Sequence, residues 1–128
     1  MKIIDGKNAV LGRLASYAAK ESLKGEEIVI VNCGEVLITG NKKNIQKSFL
    51  EKRGRVGYGQ TGPKHHKSSE KIVKRTIRGM LPNYRDGRGR DAWKKIKCYD
   101  KIPKEYEASK KITGGKEKHG KITKIKDL

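Results

Sequence analysis

Acidic side chains are scarce in this chain: 14 Asp and Glu stand against 32 Lys and Arg, a formal net charge of +18 over 128 residues. Cysteine is nearly absent too. Cys33 and Cys98 are the only two and form no CxxC, so neither a zinc site nor a disulfide framework is implied. Both are expected as small buried or half-buried thiols. Aromatic residues make up 5%, too few for a single-strand binder built on stacking platforms. No apolar run is long enough to span a bilayer. The opening "MKIIDGKNAV" has too short an apolar part for a signal peptide, so the expected location is the cytoplasm. No internal repeat is visible.

What is present is positive charge. Only 34% of residues are hydrophobic while 36% are charged, and a compact monomer of that composition repels itself. A polyanion relieves the repulsion. Nucleic acid is the first such partner, and an anionic membrane surface is the second. The charge is also segregated. Residues 1–41 hold five basic and five acidic side chains, whereas residues 42–128 hold 27 basic and 9 acidic and so carry the whole excess. The chain starts as an ordinary neutral protein and continues as a polycation.

The neutral part reads as α/β. Residues 2–4 suit a short strand. From Leu11 to Lys24 the apolar positions recur at helical spacing, and Gly25 follows as a C-terminal cap. Ile28 to Val31 is a continuous β-branched run, suited to a central strand covered on both faces. Val36 to Thr39 is a further short strand. Strand, helix and buried strand make a βαβ unit with a right-handed crossover. The expected fold is one small α/β domain, a parallel-type sheet of about four short strands between helices, over residues 1–103. A basic extension from 104 to 128 is expected to be extended or ordered only by a partner.

The basic part alternates helices with irregular loops. Asn41 is placed to cap a helix over 42–53, with Ile45, Phe49 and Leu50 inward and Lys42, Lys43, Lys47, Lys52 and Arg53 outside the core. Residues 54–67 contain four glycines and a proline and cannot be regular; Arg55, Tyr58, Lys64, His65, His66 and Lys67 lie there. Ser68 or Ser69 opens a third helix that Pro82 ends. On it Val73, Thr76, Ile77 and Met80 form one stripe, and Lys71, Lys74, Arg75 and Arg78 fall together on the other side. Like charges at i,i+4 cost a few tenths of a kcal/mol each, so an unmixed cationic face is suited to phosphates. Beyond Asn83 and Tyr84, the glycine-spaced Arg85, Arg88 and Arg90 are read as a loop able to follow a curved backbone. Asp86 and Asp91 are local partners for these arginines. A short helix near 90–97 follows, carrying Lys94 and Lys95 outward and Trp93 in the core, and residues 97–99 suit a last strand.

Several sharper motifs fail on context. Gly57 to Gly62 spells GxGxxG, but basic residues flank it where a dinucleotide site needs a strand and a helix. Gly115 to Lys121 matches a P-loop until Ile122, where a hydroxyl is required. The adjacent His65 and His66 cannot converge on one metal as an i,i+4 pair can, and no convergent acid or nucleophile accompanies them. They are read as polar loop residues that stack on bases or touch phosphates. Cationic contact plus recognition of shape suits folded RNA. A nucleotide-dependent enzyme, resting on the GxGxxG string, and a DNA-compacting protein are the alternatives.

Two blocks carry a family resemblance. "VLGRLASYAAKESLKGEEIVIVNCGEVLITGNK" (10–42) and "RTIRGMLPN" (75–83), followed by "RGRDAWKKIKCYDKIP", resemble the signatures of the L-thirteen family of large-subunit ribosomal proteins. The lack of an HTGYPGG type of loop and the stretch "GPKHHKSSEKIVKRTIRGMLP" resemble the archaeal and eukaryotic cytosolic branch. The resemblance implies an α/β fold and a structural, rRNA-binding role without catalysis or cofactor, among neighbouring large-subunit proteins and in support of subunit assembly. It leaves Cys98 a packing role and matches nothing in the tail.

Overall fold

A computed structural model describes residues 1–54, 65–113, 115 and 120–127. The centre is a four-stranded, all-parallel sheet in the order β4-β2-β1-β5. Strand β1 is Lys2–Asp5, β2 is Ile28–Val31, β4 is Ile96–Cys98 and β5 is Ile112–Thr113. β2 lies between β1 and β4, with Ile28 opposite both Lys2 and Ile96 and Ile30 opposite Ile4 and Cys98. All four β2 residues are buried, as a β-branched run covered on both faces requires. Alternation assigns the faces. Ile4, Ile28, Ile30 and Ile96 join the main core under the helices, while Ile3, Val29 and Val31 meet Tyr99, Ile102 and Tyr106 on the other side.

Helix α1, Leu11–Leu23, follows β1 and buries Leu14, Ala15, Ala18 and Ala19. Gly25, at φ +98°, stops it in the left-handed conformation that glycine adopts at least cost. Helix α3, Ser69–Met80, lays Ile72, Val73 and Ile77 on that alanine surface. Met80 departs from the expected stripe and is 44% exposed, because the helix ends there and Leu81 turns back into the core in its place. Helix α2, Lys42–Gly54, has its capping hydrogen bond from the Lys43 N–H to Asn41 Oδ1 (3.0 Å) but buries no residue. Ile45 and Phe49, an i,i+4 pair, are half-buried. Leu50 lies about 100° round the helix from Phe49, is 64% exposed, and is not an inward residue as expected.

Helix α4 begins at Gly87 and runs to Lys94, earlier than the sequence pattern suggests. Asp86 explains the shift: its carboxylate accepts the Gly87 N–H at 2.8 Å and caps the helix. Neither Asp86 nor Asp91 forms an ion pair with an arginine among the described residues, so their expected role as arginine partners is corrected. Gly89 is a packing requirement and not a source of flexibility. A Cβ there would lie 2.3 Å from the Pro82 carbonyl oxygen and 2.4 Å from that of Asn83.

The C-terminal segment is not simply extended. β5 pairs with β1 along the sheet edge, Ile4 opposite Ile112. Strand β6, Ile122–Lys124, pairs antiparallel with β3, Leu37–Thr39. Ile125 is 1% exposed in the main core, and its N–H donates to the Val36 carbonyl at 2.9 Å. Glu35 accepts from Lys126 Nζ at 2.6 Å and pairs with Lys124 Nζ at 2.9 Å. The tail has few apolar residues, but Ile125 falls where the neutral part leaves an opening. Cys33 is buried beside the half-buried Cys98, and both are free thiols. The Cys98 side chain and burial hold the Cys33 thiol well above the ordinary range, so it is not a nucleophile at neutral pH.

Ile125→Ala is expected to destabilise the fold by about 2–5 kcal/mol, whereas Leu50→Ala changes it by less than about 0.5 kcal/mol; urea unfolding midpoints check both. Glu35 is held below its ordinary value, first by the Lys126 hydrogen bond and then by that of Lys124. Its contribution to stability is therefore full above the ordinary glutamate value of 4.5 and is lost as pH falls through the lower folded value. Thermal melts across that window should show a drop that Glu35→Gln reduces.

Candidate nucleic-acid interface

The aliphatic seat of α3 on α1 turns its other side outward. Lys71 is exposed, and Lys74, Arg75 and Arg78 are half-buried along that side. Two open hollows flank them. One, of about 190 Å³, lies between α2 and α3 and is lined by Phe49, Lys52, His65, His66, Lys71, Ile72, Arg75 and Thr76. The other, of about 290 Å³, lies between α3 and α4 and is lined by His66, Lys71, Lys74, Arg75, Arg78 and Trp93. His66, Lys71 and Arg75 belong to both and form the ridge between them. Lys52 of α2, four cations of α3 and both histidines thus line the two hollows.

Aromatic rings hold part of this array in place. Lys74 Nζ lies 4.8 Å from the Trp93 ring centroid, and the Arg78 guanidinium carbon lies 4.4 Å from that of Tyr84. Tyr84 and Trp93 meet edge to face at 6.4 Å. Arg85 Nε–H donates to the Tyr84 hydroxyl at 3.2 Å. That hydrogen bond, with the positive charges of Arg78, Arg85 and Arg75, pulls the Tyr84 phenol below its ordinary range. Arg78 Nε is buried and has no hydrogen-bond partner among the described residues.

Every ion pair among the described residues lies elsewhere. Glu21 takes Lys2 at 2.6 Å and Lys24 at 3.4 Å, Glu26 takes the N-terminus, and Glu35 takes Lys124 and Lys126. Glu21 and Glu35 are thus used on structural lysines, and the α3 face is left without an ion-pair partner among the described residues.

Other predicted contacts are placed apart. Lys42, Lys43 and Lys47 are exposed on α2, and Arg53 is half-buried at its end. Arg85, Arg88 and Arg90 are exposed, the last two on α4 and not on a free loop. Asn83 acts locally: its Oδ1 accepts the Arg85 N–H at 3.2 Å. Lys67 is exposed beyond the histidines. Lys94 and Lys95 line a separate hollow of about 80 Å³ with Met1, Glu27, Val29, Lys97 and Tyr106, and Lys95 Nζ donates to the Gly25 carbonyl at 3.4 Å. They do not join the α3 group. Arg55, Tyr58, Lys64, His119 and the GxGxxG string fall outside the described residues, as does most of the P-loop-like string.

Trp93, which pattern reading assigned to the core, is half-buried: it packs against the main core and also lines the hollow between α3 and α4. The available signal is Gly89 and Ala92, the buried i,i+3 pair of α4; Trp93 lies about 100° round the helix from Ala92.

The chain that folds in this way belongs to a ribosomal protein family. The family profile for ribosomal protein L13 matches residues 1–105, and the chain belongs to that family. It is 46% identical over 116 residues to the large ribosomal subunit protein uL13 of Methanocaldococcus jannaschii, covering 88% of this chain and 84% of that one. To the protein of the same name from Methanosphaera stadtmanae it is 40% identical over 129 residues, covering 98% of this chain and 90% of that one. To that of Caenorhabditis elegans it is 41% identical over 113 residues, 86% of this chain and 55% of the longer relative.

Gly89→Ala is expected to displace α4 from the Pro82–Asn83 turn and shift Trp93 away from Lys74. The check is a change in Trp93 fluorescence together with a lowered unfolding midpoint.

Proposed function

We propose that this protein is a non-enzymatic structural constituent of the large ribosomal subunit in the cytoplasm, and that it grips rRNA with the α3 face. The observation that carries the reading is the cluster of Lys71, Lys74, Arg75 and Arg78 around two open hollows, without an ion-pair partner among the described residues, in a chain of the ribosomal protein L13 family. The relatives named above carry the subunit in their names.

The mechanism is electrostatic. Each phosphate neutralised by a lysine or arginine releases condensed counterions, so affinity falls steeply with salt. Phosphate contacts fix position and register and carry little sequence information. α3 supplies the central grip. Lys42, Lys43, Lys47, Lys52 and Arg53 extend it along α2, and Arg85, Arg88 and Arg90 extend it along the start of α4. His65 and His66 lie at the hollows, and Lys67, with Arg55, Tyr58 and Lys64 from the sequence between α2 and α3, completes the set. Lys94 and Lys95, on the other side, contact a separate stretch of RNA or a neighbouring large-subunit protein. By binding several RNA segments at once the protein supports assembly of the subunit.

Binding of the full chain to large-subunit rRNA should show a log–log salt slope of magnitude about 5 or more, for roughly six neutralised phosphates. Arg75→Ala should lower that slope by about 1 while moving stability by less than about 0.5 kcal/mol. Fluorescence anisotropy across a salt series measures the first and urea unfolding the second. A salt-independent isotherm, or failure to co-sediment with large subunits, contradicts the proposal.

A further inference from the structure

The hollow between α3 and α4 offers more than a phosphate needs. A row of exposed cations is enough to hold a sugar–phosphate backbone, without a cavity. This hollow has about 290 Å³ of space, close to the lower end of the range for small-molecule pockets, about 300 Å³. It is lined by Trp93, by Lys71 and Lys74, and by Arg75 and Arg78, whose guanidinium groups are planar. Aromatic and guanidinium planes with a cationic rim match the flat faces of a nucleobase flanked by phosphates.

We propose that this hollow receives one unpaired nucleotide of the bound RNA, its base stacked on Trp93 and Arg78 and its flanking phosphates on Lys71 and Arg75. The inference rests on the RNA-binding reading above and specifies what enters the site. A paired base cannot do so, because its faces are already covered by its neighbours in the helix; only a bulged, looped or extruded base has a face to offer.

Three features fit this occupant. Lys74 Nζ caps the indole at 4.8 Å, and it is a point charge on a flexible four-carbon stem. An incoming base displaces it toward the adjoining phosphate, and a cation–π contact is exchanged for a charge pair. The Arg78 guanidinium carbon rests 4.4 Å from the Tyr84 ring centroid, which holds that side chain beside the hollow it lines. The second hollow meets the first across the His66, Lys71 and Arg75 ridge, so the strand has a cationic path onward between α2 and α3.

Trp93 is the only tryptophan in the chain, so intrinsic tryptophan emission reports on this wall alone. The full chain is titrated with two end-labelled RNA hairpins that differ only in one bulged adenosine. The bulged hairpin is expected to bind roughly ten-fold tighter, in the range of one base–aromatic stack, and to quench Trp93 emission. The fully paired hairpin should bind with little quenching. Trp93→Leu should abolish the preference, and Trp93→Phe, which keeps a ring, should retain most of it. Should Trp93→Leu not fold, the emission of the unsubstituted protein decides. Equal affinity for both hairpins with unchanged emission overturns the inference and leaves the RNA-binding reading standing. Binding of neither hairpin at low salt overturns both.

Discussion

Aliphatic side chains of α3 meet the small-residue face of α1, and this contact sets where the cations go. Ala15, Ala18 and Ala19 keep α1 thin, and Ile72, Val73 and Ile77 settle onto it. Fully burying an aliphatic side chain is worth roughly 1.5–3 kcal/mol, far more than the few tenths lost to each like-charge pair on the helix surface. The apolar side therefore decides the rotation of α3 about its axis. Lys71, Lys74, Arg75 and Arg78 follow from that rotation at a fixed angular offset. Hydrophobic packing aims the charge.

The aromatic pair beside α3 then limits how the charges spread. Free lysines and arginines at this density would splay apart. Trp93 under Lys74 and Tyr84 under Arg78 hold two of them near the helix at low cost, because ring faces attract cations and repel nothing nearby. Gly89 makes the arrangement possible by letting α4 approach the Pro82–Asn83 turn closely enough to present Trp93. The glycines between the arginines thus serve close packing at one position and a positive φ at Gly87, not freedom of movement.

Much of the fold is legible in the chain, because its signals are local. The continuous β-branched run of β2, the helical recurrence in α1 and the polar and apolar sides of α3 each occupy one window of sequence. What escapes a window is long-range. Ile125 sits among lysines, and nothing nearby indicates that it completes the core of the first half. Leu50 reads as apolar and therefore inward, yet α2 meets the body through Phe49, with Gln46 reaching the Asp127 carbonyl, and Leu50 stays exposed. Asp86 and Asp91 read as partners for arginine, because sequence adjacency suggests pairing, yet Asp86 is committed to a backbone N–H. The α3 cations were readable from periodicity alone. The hollow they share with Trp93 was not, since it depends on how closely α4 approaches.

The pairing of β1 with β5 has a bearing on how the chain reaches its final form. Ile4 is made about a hundred residues before its edge partner Ile112. At about 5–20 residues per second of synthesis, that flank of the sheet stays unoccupied for roughly 5–20 s. A growing chain meanwhile presents a parallel strand edge and the opening later filled by Ile125, both open to association with other chains. The segment carrying β5, β6 and Ile125 acts as an internal seal over that edge and opening.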